Sequence, residues 1–244
     1  ARDTQINPSR RANIDRDGCR NSSVEAGVTR AALALSLALS SAVSAQEFLA
    51  TDTALADNDF YRLVAWATPP KGDCNKPIVR WAKTELTIEI TKMDLAYLGG
   101  KKTRAEASLS QAIDEINAAG TAIQLTRDDT DPDIPILFLD IPARSTIQGS
   151  GFQVLEGKSI SGAGVRVLAK NGMILKSVII FTTGLEKRAF ERVMLEEITQ
   201  GLGLMTDKGG PYYQSRSIFS QSSNALTKLG KRDIIALGRH YPAR

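Results

Sequence analysis

The stretch "LEEITQGLGL", Leu195 to Leu204, sets two carboxylates side by side and puts an amide, Gln200, one helical turn after the first. On a helix, Glu196 and Gln200 would stand at i and i+4, the spacing at which one face can offer two ligands to a metal ion. Gln is a poor ligand for zinc, so this pair suits a harder ion such as calcium or manganese. The other chemistry open to such residues is acid–base work by a carboxyl. Glu196 and Glu197 diverge by about 100° on a helix, which is poor geometry for a shared proton.

A helical wheel separates the two acids. With Phe190 at zero, Val193, Met194, Ile198, Gly201, Leu202 and Leu204 define one broad apolar face. Glu197 falls inside it at about 340°, Glu196 outside it at about 240°, and Gln200 at its border at about 280°. An acid on a core-facing stripe must find donors, a positive partner or a proton. Glu197 is therefore either a structural carboxylate bonded to a neighbouring loop or a functional one.

The segment resembles the active helix of the metzincin and matrixin-like zinc peptidases. There, two His at i and i+4 and a third after a Gly turn hold zinc, and a Glu beside the first activates water. Three further stretches agree in order: "DPDIPILFLD" with their D-I-x-I strand, "SRSIFSQ" (Ser215 to Gln221) with their Met-containing turn, and "RDIIALGRHY" with their closing helix. The similarity covers roughly Lys101 to Tyr241. It implies an α+β, zincin-like fold: a mixed twisted sheet packed on a helix from the N-terminal half and on the former active-site helix, with a C-terminal helix. In place of the three His stand Glu196, Gln200 and Thr206, and Phe219 or its neighbour replaces the Met. Only Glu197 and Gly203 persist. No zinc and no other cofactor is expected from this set.

The pattern E-E-x-x-Q-x-L-G-L followed by S-I-F is narrower. It resembles a family of exported bacterial proteins known as domain of unknown function 2927, as does "NDFYRLVAWATPPKGDCNKPIVRW". Carried onto this chain, the signature residues are Glu196, Glu197, Gln200, Gly203, Ser217, Ile218 and Phe219. The resemblance implies a zincin-like fold without the usual ligands, and no activity. Two functional expectations lead, ahead of a third, an envelope structural protein whose helix resembles a zincin by ancestry only. One is a catalytically silent module that binds a peptide or an envelope protein, with Glu197 and Gln200 hydrogen-bonded to the Ser217 turn. The alternative is a peptidase-like hydrolase using a non-standard metal or carboxylate site around Glu196, Glu197 and Gln200, with Asp207 as a further oxygen donor.

These residues need elements to position them. "NDFYRLVAWATPP" reads as a short helix capped by Asp57 or Asn58 and stopped by Pro69-Pro70. "PIVRWAKTELTIEI" reads as a half-buried strand with Leu86, Ile88 and Ile90 on one face. "KTRAEASLSQAIDEINAAG" places Ala105, Leu109, Ile113 and Ile116 at helical spacing and ends at Gly120. "TAIQLTR" and "DIPILFLD" read as strands, and "GVRVLAK" and "ILKSVIIFTT" as a hairpin closed by "NGM". The Gly- and Ser-rich "GSGFQVLEGKSISGAG" reads as a mobile surface loop rather than a phosphate cradle. Asp129, Asp131 and Asp133 alternate as in a calcium loop, but Ile134 stands where such a loop needs Gly. A helix over Leu185 to Leu204 and a last one through "LTKLGKRDIIALGRHY" complete the fold.

The first 45 residues read as an export leader. Basic residues precede an apolar run, "AALALSLALSSAV", and "VSAQ" offers a cut after Ala45. From the long basic region and the absence of an initial Met, a true start downstream of Ala1 is expected. The run is too short to span a membrane, and the implied location is periplasmic or secreted. The rest divides into an entry segment, 46–100, and a zincin-like part, 101–244, in one globular unit. The leader takes six basic and four acidic residues from totals of 31 and 27, leaving +2. With no long basic stripe and only seven Phe, nucleic acid is not an expected partner. Cleavage would leave Cys74 alone, a free or partner-linked thiol. His240 is the single His and reads as an ordinary helix-end residue, so neither His-based nor Cys-His catalysis has support.

Overall fold

A computed structural model describes residues 42–44, 48–74, 76–221 and 225–243, all within one compact unit, 39–244. Most of the expected leader lies outside the described residues. Its end, Ala42–Ser44, is strand β1. Next come β2 (Phe48–Ala50), α1 (Asp57–Trp66), β3 (Arg80–Trp81), β4 (Glu85–Met93), α2 (Gly100–Asn117), β5 (Gln124–Arg127) and β6 (Ile134–Leu139). The hairpin β7 (Ala163–Lys170) and β8 (Met173–Thr182) leads into α3 (Phe190–Gly201). The chain closes with β9 (Asp207–Gly209) and α4 (Lys231–His240).

The architecture is α+β. The main sheet runs β1-β7-β8-β6-β4-β5, with β3 paired to β8 off that path. Four of its pairings are parallel and two, β1–β7 and β7–β8, are antiparallel. The hairpin follows from its turn: Asn171 and Gly172 both take positive φ, 52° and 77°, as a two-residue reversal between twisted strands requires. Strand β6 is buried along its whole length because parallel neighbours flank it and both faces of the sheet are covered.

One face packs on α2 and α3. Ala105, Leu109, Ile113 and Ile116 all turn inward from α2, as their spacing dictates. Phe138 of β6 stacks on Phe181 of β8 at 4.4 Å between ring centres, and Phe190 closes on both from the start of α3. Burying one such side chain contributes roughly 1.5–3 kcal/mol.

The opposite face corrects one expectation. The 149–164 stretch is not a bare surface loop. Ile147, Leu155 and Ile160 pack on Leu137, Leu139, Val178 and Ile180 as a second core. The Glu156 carboxylate organises this cover by accepting from the Gly149 and Ser150 amides and the Ser150 hydroxyl. The apolar side chains are spread without period, so only their shared target reveals them.

Local boundaries differ from the sequence reading for simple reasons. Ala56 is the N-cap of α1 and no side chain caps it; Asp57 lies one position inside, where its charge still favours the helix dipole. The expected helix over 185–204 begins with a short 3-10 turn, and α3 proper ends at Gly201. In the Asp129–Asp133 stretch, Asp131 pairs with Lys176, and Asp133 with Lys83 and the Thr87 backbone, so those carboxylates already have partners. Cys74 is disulfide-bonded, not a free thiol. The chain's other cysteine, Cys19, lies outside the described residues.

Candidate functional site

Helix α3 carries the site because its stripe faces the sheet. Met194, Ile198 and Leu202 are buried, and Glu197 is buried among them with 8% of its surface exposed. Its Oε2 has no hydrogen-bond partner among the described residues. Burial, and then the charge of Asp207, push the Glu197 carboxyl up to about 8, against the pull of Arg166 on β7. Arg166 is itself buried and held by the Val165 carbonyl at 3.0 Å.

Gln200 is buried one turn on, and its amide donates to Asp207 Oδ1 at 2.7 Å. Burial raises Asp207 to about 7, opposed by that hydrogen bond and by the charge of Lys76. The site is thus two buried acids held near neutrality, with Gln200 and two cations around them. Glu196 points less deeply and is half-buried.

The Ser217 turn is not held as expected. Neither Glu197 nor Gln200 bonds it. Asp233 of α4 does, accepting from Ser217 Oγ at 2.6 Å, from the Ile218 amide at 2.9 Å and from the Gly230 amide at 2.8 Å. Ser217, Ile218 and Phe219 are all fully buried. Gln200 is drawn instead to Asp207, which the chain returns to the helix after Gly203.

Gly203 has a steric reason to be there. Its φ is +107°, and a Cβ on it would lie 2.2 Å from the Val79 carbonyl oxygen and 2.8 Å from His240 Nε2. We expect Gly203→Ala to destabilise the fold by about 3 kcal/mol or more, from left-handed strain and displaced backbone. Urea unfolding measures it; a loss below ~1 kcal/mol would show that the turn relaxes freely.

His240 is more than a helix-end residue. It is buried, with Nε2 3.1 Å from the Val79 carbonyl and Nδ1 3.2 Å from the Tyr61 hydroxyl. A carbonyl can only accept, so Nε2 carries the proton and Nδ1 accepts. Burial and then the Arg80 charge lower its pKa to about 3. It is a neutral structural pin between α4, α1 and β3.

The zinc of the peptidase resemblance does not fit these residues. The Gln200 amide is committed to Asp207, and Thr206 at the third position is buried. No group of three His, Cys, Asp or Glu able to hold a metal occurs among the described residues.

A family model described as "Protein of unknown function (DUF2927)" matches residues 54–244. The chain belongs to the DUF2927 family. The matched span takes in every element from α1 to α4, and so the whole of the Glu197 site. No curated protein matches the chain. Within this DUF2927 domain the sequence missed Arg166 and gave Asp207 only a marginal place. Arg166 alternates with Val165 and Val167 on a strand, and no periodicity links a strand position to a helix face.

Proposed function

We propose that this DUF2927 protein is an exported, catalytically silent, zincin-like module that binds an extended segment of a peptide or envelope protein along β7. One observation carries the reading: β7 is taken as an antiparallel partner by a second segment, Ala42–Ser44, with Ala42 opposite Leu168, Val43 opposite Val167 and Ser44 opposite Arg166. An edge that accepts one strand offers the same row of backbone donors and acceptors to another. That segment overlaps the "VSAQ" site and ends one residue before the expected cut, so cleavage after Ala45 would sever its backbone link to the domain and open the edge to another strand. Arg166, opposite Ser44, is also the cation that acts on Glu197, which couples edge and acid. The helix and sheet packing and the ordered motifs support the zincin-like ancestry, and the residues at the ligand positions support catalytic silence.

The buried acids favour a second reading. Glu197 and Asp207, raised to about 8 and 7, are carboxyls tuned toward neutral-pH proton transfer. This hydrolase would use no zinc.

One experiment separates the readings. The chain starting at Gln46 is panned against displayed random peptides, and the captured peptides are incubated with it and sequenced. Strand addition predicts intact peptides and new amide-exchange protection at 166–168. Cleavage that disappears in Glu197→Gln would establish the hydrolase. Failure to select any peptide would remove the edge-binding reading.

A further inference from the structure

We propose that a second site, a cationic cavity between the first turn of α4 and residues 211–216, binds a small ligand through a phosphoryl group. It is independent of the β7 edge and of Glu197. The cavity measures about 480 Å³, within the roughly 300–1,000 Å³ of small-molecule sites.

Its lining is lopsided in charge. Arg216, Lys228, Lys231 and Arg232 face it with one acid, Asp57. Four cations less one acid leave a net +3, on a chain whose overall charge is only +4. Asp233, in the same turn, is fully buried with its oxygens turned to Ser217, Ile218 and Gly230, so it offers a ligand no contact, though its charge offsets part of this excess.

Two of the cations are held in place. Arg216 donates to the Tyr212 carbonyl at 2.8 Å and lies 4.7 Å over its ring. Arg232 reaches the Tyr212 hydroxyl at 3.5 Å and Asp57 at 3.3 Å. One tyrosine therefore aligns two guanidiniums before any ligand arrives, which lowers the ordering cost of binding. The other two, Lys228 and Lys231, are exposed, and no hydrogen bond or ion pair engages either ammonium among the described residues. The first backbone amides of α4, a ten-residue helix, add their dipole at the same end.

This donor set outmatches a monocarboxylate, which neutralises a single charge. A phosphomonoester brings close to two negative charges and three acceptor oxygens at neutral pH. Planar guanidiniums and mobile ammoniums match that pattern.

The test is calorimetric titration of the full chain with glycerol 3-phosphate, at constant ionic strength, with acetate as the comparison. We expect saturable one-to-one binding that acetate does not reproduce. Lys228→Ala and Lys231→Ala should each weaken it about tenfold, with melting unchanged because both side chains are exposed. Lys231→Arg should retain it. Flotation with phosphatidic acid vesicles against phosphatidylcholine vesicles assigns the source: capture by the former, weakened by the same variants, makes the ligand a lipid headgroup. Three results overturn the proposal: no binding in either arm, acetate equal to glycerol 3-phosphate, or affinity unchanged in the Lys228→Ala/Lys231→Ala double variant.

Discussion

Glu197→Gln should leave the protein as stable as wild type below pH 4.5 and markedly more stable above pH 8. The sign follows from the raised pKa. In the unfolded chain the carboxyl releases its proton near 4.5, and in the folded chain only near 8. Between those values the folded state binds more protons than the unfolded state, so wild-type stability falls as pH rises through that window. Gln has the shape of the protonated acid and never ionises, so it avoids that loss. The full difference is on the order of 4 kcal/mol above pH 8. For a domain of this size that is about 10 °C in melting temperature. Asp207 and Asp233, raised to about 7 and 6, keep a residual decline of the same sign in the variant. Thermal melts of both proteins from pH 4 to pH 9 measure the divergence. Parallel curves across that range would mean that Glu197 ionises as readily as a surface acid, and its burial would lose its meaning.

The same residue marks how far the sequence could be read. The wheel placed Glu197 on the buried face because apolar neighbours at helical spacing fix which side of α3 meets the sheet. It could not supply the partners. Asp207 approaches Gln200 only because Gly203, at a φ of +107°, lets the chain double back under the helix. Strands β4 to β8 and α2 were legible because alternation, helical spacing and "NG" are local signals, each set by the residues that display it; the three-residue β1, β2 and β9 are too short to carry one. The cover over 147–160 was not, since Ile147, Leu155 and Ile160 share no period and are united only by Leu137 and Ile180 beneath them. His240 was misjudged for a related reason. Its partners, Val79 and Tyr61, belong to distant elements, and a lone His in a helix has no pattern that announces them.

Asp233→Ala should cost on the order of 4 kcal/mol, the largest loss of any single polar residue around the site. The side chain is wholly buried and accepts from one hydroxyl and two backbone amides. Burial pushes it up to about 6 even against those hydrogen bonds. Truncation leaves two buried donors and the half-buried Gly230 amide without an acceptor, the buried ones costing about 1–3 kcal/mol each, with some relief from relaxation. Asp233→Asn should lose roughly half as much, because one carbonyl oxygen can still serve part of the set. Urea unfolding gives the magnitude, and amide exchange at Ile218 and Gly230 gives the location. A loss under ~1 kcal/mol, with Ile218 still protected, would show that the Ser217 turn stands without α4. The expected result has a consequence for α3. A turn tied down by Asp233 needs nothing from Glu197 or Gln200 to hold its shape. Glu197 then carries a desolvation cost that no bond to the turn explains, and removing it should stabilise where removing Asp233 unfolds. Opposite signs at the two buried acids would separate a carboxyl that holds the fold together from one that does not.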